Sequence, residues 1–162
     1  MKRARRGFSM LEVLVVVAIV AVFSALAFPK ISESINRSRF NGVVRTGMGS
    51  LNQARSLAIS RSTVNGSVAE AAGIRILSDS SYEIYIDPDD DDTNNNDVRS
   101  QLINLRTEDK EGLIRVIEPA PGTAVRFRRD GSTQAARLTF LDQRTGLRRV
   151  VLVTAAGFSS ME

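Results

Sequence analysis

Three patterns of apolar and polar positions follow one another along the chain. From Phe8 to Phe28 the residues read FSMLEVLVVVAIVAVFSALAF, 21 positions with Glu12 as the one charge and no proline or glycine. As a helix this run spans about 30 Å, the thickness of a bilayer's hydrocarbon core. From Pro29 onward Ile31, Ile35, Phe40, Val44, Met48, Leu51, Leu57 and Ala58 recur mostly every three to five positions, with arginines largely between them. That periodicity predicts an amphipathic helix to about Ser62, with Asn65-Gly66 as its stop signal. Gly42, Gly47 and Gly49 each cost such a helix about 1 kcal/mol relative to alanine, so it relies on packing or is locally loose. Beyond residue 73 short β-rich runs take over at 74–77, 82–87, 113–118, 123–128, 136–141 and 147–154, separated by turn residues such as Arg129-Asp130-Gly131 and Arg144-Thr145-Gly146. The expected fold class is α+β, a long amino-terminal helix packed on an antiparallel sheet.

Composition narrows the chemistry. A chain of 162 residues has room for one compact domain and an appended element. It contains no cysteine and no histidine, which excludes disulfides, thiolate or imidazole metal sites and any Ser-His or Cys-His nucleophile. No nucleophile stands beside a base and no glycine-rich phosphate cradle is visible, so no enzymatic activity is expected. The net charge of +4 resides in Lys2, Arg3, Arg5 and Arg6, and beyond residue 7 the charges balance. Basic residues ahead of an apolar span predict a cytoplasmic amino terminus with the bulk of the chain across the membrane. The span is longer than the apolar core of a secretory signal and continues into the amphipathic pattern. A carboxylate five positions into it is costly unless it meets a cation or lies near enough to the interface to reach water.

The basic leader ending in Gly7, then Phe8, Glu12, the apolar span and Pro29 together resemble the class III leader and first helix of type IV prepilins and pseudopilins. The resemblance implies that a membrane prepilin peptidase cuts between Gly7 and Phe8 and N-methylates the new Phe8 amine, and that the helix bends at Pro29. It implies a leader (1–7), a transmembrane and filament-core helix (8–28), its amphipathic continuation (29–63) and a periplasmic β-rich domain (64–162). Such a subunit resides in the bacterial inner membrane as a single-pass protein before joining a filament or its tip. Its expected partners are the peptidase, the inner membrane and other pilin or pseudopilin subunits, contacted through the amino-terminal helix. There Glu12 would pair with the Phe8 amine of a neighbouring subunit, each satisfying the other in an apolar setting.

The stretch LNQARSLAISRSTVNG, the run Tyr82 to Asp97 with its acidic end, then FRRDGST, LTFLD and RRVVLVTAAGF resemble the GspH/FimT-like minor pseudopilins. This implies a structural subunit that primes or caps assembly of a type IV pilus. The alternatives are the H-type minor pseudopilin of type II secretion and a DNA-binding pilin subunit in DNA uptake.

Two charged segments remain. Asp87 to Asp97 packs six carboxylates and three amides into eleven residues, oxygen ligands of the kind Ca²⁺ takes, with Asp87, Asp89, Asp91, Asn94 and Asp97 as candidate ligands. The run lacks the glycine and terminal glutamate of an EF-hand, and a solvated charge run is the plainer reading, so no cofactor is expected. Arg126, Arg128 and Arg129, followed by Arg144, Arg148 and Arg149, suggest a basic patch, and the last three are the candidate DNA contacts. Some FimT-like pilins bind DNA through arginines after the glycine of the last turn. Here Gly157-Phe158-Ser159-Ser160 carries none, so nucleic acid is not an expected partner.

Overall fold

The computed structural model describes residues 9–91, 96–105 and 113–161, with the backbone alone for 26–29. Helix α1 spans Met10–Ser60, and the chain divides between Ser38 and Arg39 into two compact units. The helical assignment continues through Pro29, although proline has no N–H to offer the carbonyl four residues back. In the first unit the side chains from Met10 to Ala25 are exposed. Ile31 and Ile35, expected on the apolar stripe, are exposed as well, because no described residue of this unit covers them.

In the second unit α1 buries Phe40, Val43, Val44, Leu51, Ala54 and Ala58, one stripe at three- and four-residue spacing. Gly47 lies on this stripe where the helix meets the sheet. A Cβ there would stand 2.6 Å from the Phe140 ring, so the absent side chain sets how closely the two approach. The helix ends earlier than expected and by a different device. Arg61 takes the left-handed conformation (φ 50°), its N–H donates to Ala58 and that of Ser62 donates to Leu57, the paired bonds of a Schellman cap. Asn65 and Gly66 instead form the two-residue turn between β1 (Thr63–Val64) and β2 (Ser67–Val68). Both have positive φ, as a type I′ hairpin turn requires.

The remaining strands are β3 (Ala71–Ser78), β4 (Ser81–Asp87), β5 (Val98–Asn104), β6 (Ile114–Glu118), β7 (Ala124–Arg128), β8 (Ala136–Asp142), β9 (Arg148–Val153) and β10 (Ser159–Met161). The fold is α+β as expected, but the strands divide into two four-stranded antiparallel sheets, ordered β5-β4-β3-β7 and β10-β9-β8-β6. Alternate residues of each sheet point inward. Ile74, Ile84 and Val125 of one sheet and Val116, Phe140 and Val151 of the other join the α1 stripe in one core. Strand β5 has no signal in the pattern, because its apolar residues, Val98, Leu102 and Ile103, do not alternate and it sits at the edge of its sheet.

Candidate functional site

Two regions carry the residues singled out above. Gly7, Phe8 and Asn94 lie outside the described residues. At the start of α1 the Ser9 carbonyl accepts the N–H groups of Glu12 (3.0 Å) and Val13 (3.2 Å). Glu12 therefore stands in the first helical turn, where the unpaired amides favour a carboxylate. Behind it runs a stretch of mean hydropathy 2.8, none of it buried, and α1 is long and apolar enough to cross a membrane.

The second region is the outward face of the β5-β4-β3-β7 sheet, over which the acidic loop folds. Asp87 ends β4 and is almost fully buried. Its Oδ1 accepts the N–H groups of Asp89 (3.2 Å) and Asp90 (2.9 Å), and its Oδ2 lies 2.7 Å from Arg126. Burial pushes the Asp87 carboxyl above the ordinary carboxylate range, a hydrogen bond shared with the Asp89 carboxyl adds to this, and the loop amides and Arg126 oppose it. Asp90 also pairs with Arg126. At the far end of the loop Asp97 pairs with Arg75. Arg75 bonds Glu83 (3.0 Å), Glu83 bonds Arg99 (2.5 Å), and the Arg75 guanidinium lies over the Tyr85 ring at 4.2 Å. Beneath this layer burial pushes the Tyr85 phenol up to about 12.

Of the five candidate metal ligands, the structure brings Asp87, Asp89 and Asp91 together, with oxygens within 4.8 Å of one another. Asp97 is drawn instead to Arg75, and Asp87 already has a guanidinium and two amides. The acidic run is thus more than a solvated loop, since its ends are anchored to sheet arginines. The pairs were not legible in the sequence because Arg75, Glu83 and Arg126 become neighbours only through the strand register, which sets Arg75 opposite Glu83 and Gly73 opposite both Tyr85 and Arg126.

The arginines expected to form a patch are dispersed. Arg126 is held by Asp87 and Asp90, and Arg129 lies 3.7 Å from Glu70. Arg144 occupies a turn organised by buried Asp142, which accepts its N–H at 2.9 Å and the Thr145 hydroxyl at 2.8 Å. Arg148 and Arg149 open β9 opposite Leu141 and Phe140, so the pleat directs them to opposite faces. At the end of α1, Arg55 donates to the carbonyls of Gly131 and Ala156 and lies over the Phe158 ring at 4.5 Å. The sequence offered no sign of this junction. It needs two glycines, since a Cβ on Gly157 would stand 2.0 Å from the Gly131 carbonyl oxygen.

Comparison with known proteins adds to this geometry. A family model described as type II transport protein GspH matches residues 44–157, and one described as the prokaryotic N-terminal methylation motif matches residues 2–28. Neither the curated proteins nor the solved structures give a significant match. The first match covers the helix–sheet unit from Val44, its third core residue, to Gly157, and the second covers the basic residues at the start of the chain and the uncovered apolar helix. With both in one α+β chain, the protein belongs to the GspH family and is a minor pilin or pseudopilin of the GspH/FimT-like type.

Proposed function

We propose that this chain is a structural, non-catalytic subunit that primes or caps assembly of a type IV pilus. The observation that carries the reading is the uncovered apolar helix, which falls within the match to the methylation motif and is continuous with a helix whose later turns help to form a core. So much exposed apolar surface is stable only in lipid or against other helices. The helix then serves first as an inner-membrane anchor and, after release of the leader, as part of a filament core. In this reading the peptidase cuts at Gly7–Phe8 and methylates the Phe8 amine, the Lys2–Arg6 cluster keeps the amino terminus cytoplasmic, and the domain faces the periplasm. Glu12, in the first turn of α1, receives the Phe8 amine of the adjoining subunit. The H-type pseudopilin of type II secretion is the second reading, favoured by the description of the matching family.

Mass spectrometry of the mature protein should find N-methylated Phe8 as the first residue. An intact Met1 start in cells with active prepilin peptidase overturns the reading. Glu12→Val should insert into the membrane normally, because a costly charge leaves the span. It should fail to enter filaments, because the neighbour's amine would be buried unpaired. Deletion of the gene should remove surface pili and leave protein export intact. The opposite result assigns the chain to the secretion pseudopilus.

A further inference from the structure

A groove of about 540 Å³ runs along the outer edge of β7, within the roughly 300–1,000 Å³ typical of ligand pockets. One wall is β7, the last strand of its sheet. The other is the start of β8, where Ala136, Arg137 and Leu138 pair with β9 alone. Their partner on the other side, β6, stops at Glu118 opposite Thr139, because Pro119 has no N–H with which to continue the ladder. Two strand edges, one from each sheet, therefore face a single groove.

The backbone is oriented for use there. Ile76 donates its N–H to the Thr123 carbonyl at 3.0 Å, so Thr123 faces β3, and strand alternation turns the N–H and C=O of Ala124 toward the groove. One end is closed by Arg128 donating to the Ser132 carbonyl at 2.8 Å and by the Thr133 hydroxyl donating to the Arg126 carbonyl. Among the described residues the lining includes exposed Arg128 and Arg137 and no carboxylate.

We propose that this groove receives an extended segment of another filament subunit as an added strand between β7 and β8, with carboxylates opposite Arg128 and Arg137. The inference rests on the filament-subunit reading and names the surface through which the domain, as distinct from the helix, engages a neighbour. Main-chain bonds to open edges supply the affinity and the two arginines supply the charge selection. Covering these edges also removes a template for edge-to-edge aggregation. A polypeptide fits better than a nucleic acid. Asp87, Asp89, Asp90 and Asp91 flank the Arg126 side of the groove and repel a phosphodiester chain, charged at every nucleotide, whereas a peptide sets its few carboxylates only where the arginines are.

The test is site-specific photo-cross-linking of the full chain in cells that assemble the filament. A photoreactive residue replacing Gln134 should capture an extended, carboxylate-bearing segment of a partner subunit, identified by mass spectrometry of the adduct. A second probe replacing Val16 in α1 reports assembly itself. Adducts from position 16 with none from 134 overturn the groove assignment and leave the subunit reading standing, while loss of both counts against the subunit reading. Ala124→Pro removes the edge N–H without touching the β3 bonds and should lower the 134 adduct about tenfold, the effect of one lost main-chain bond, whereas Ala124→Val should not. If Ala124→Pro fails to fold, the double reversal Arg128→Glu with Arg137→Glu decides, with the same loss expected. Adducts with nucleic acid or with a helical segment, or an adduct indifferent to the variant that decides, overturn strand addition.

Discussion

The two parts of α1 are both rich in apolar residues, yet one is uncovered from Met10 to Ala25 while the other buries Phe40, Val44, Leu51 and Ala58 beneath two sheets. The difference lies in how the apolar positions are arranged around the axis. Before Pro29 they occupy every side of the helix, so no single sheet could cover them. After Ser38 they form one stripe, and the opposite side is polar or glycine. A helix apolar all round is completed by lipid or by several other helices, whereas a one-sided helix is completed by its own domain. The charges follow the same division. In the second unit arginines and carboxylates pair across strands, while the described pair of the first, Glu33 with Arg37 at 2.7 Å, is an exposed pair along one helix. The first unit is written for partners outside the chain, and the second has its core within itself.

The largest effect that could break this comparison is the cost of removing a phenyl ring from each unit. Phe140→Ala, in the core, should destabilise the detergent-solubilised full chain by about 3–5 kcal/mol in chemical unfolding. Phe23→Ala, at a position 68% exposed, should leave the unfolding midpoint unchanged and weaken filament incorporation instead. Equal losses of stability would show that the amino-terminal helix is covered by its own chain.

A comparable effect should follow from Arg126→Met, which leaves the Asp87 carboxylate buried without its cation and should cost about 3–5 kcal/mol. Adding Asp87→Asn to that variant should restore much of the loss. A double variant no better than the single would mean that the pair is not the anchor of the acidic loop.

A smaller, pH-dependent effect comes from Tyr85. Its folded pKa, pushed up to about 12 from 10.0, means that the unfolded chain releases this proton before the folded one does. Stability that is complete below pH 10 should therefore decline as pH rises toward 12. In Tyr82→Phe, which leaves Tyr85 as the sole tyrosine, phenolate absorbance should appear near pH 12 and coincide with unfolding. Titration near pH 10 in the folded protein would mean that the phenol is open to water. The smallest effect should be that of calcium. Millimolar calcium should move the melting midpoint by less than about a degree, because Arg126 and the loop amides already hold Asp87, and a ligand bound only to the folded state would raise it. A rise of several degrees, reversed by EDTA, would make Asp87, Asp89 and Asp91 a metal site and the second unit incomplete without it.

Local pattern was enough to write much of this protein into its sequence. The apolar run needs no long-range information, since every side of the helix is apolar whatever lies beside it. The strands β3, β4 and β6 to β9 follow from alternation and turn residues in stretches rich in β-branched residues. The basic residues at the start of the chain, Glu12 and the methylation motif are likewise sequential, which is why the family was legible before any fold was known. Tertiary structure decided what depends on register and on the closing of distant segments. It decided the division of the strands into two sheets and the recruitment of the weakly apolar β5 as an edge. It also decided the use of Arg61, not Asn65-Gly66, to end α1, and the pairing of Asp87 and Asp97 with Arg126 and Arg75. The groove between β7 and β8 exists because β6 ends at Glu118, just before Pro119, and leaves the first three residues of β8 without a partner on that side. The physical reason is common to all of these. Periodicity fixes which way a side chain faces along its own element, but the identity of the group it meets depends on which strand lies alongside, and that is settled when the whole core closes.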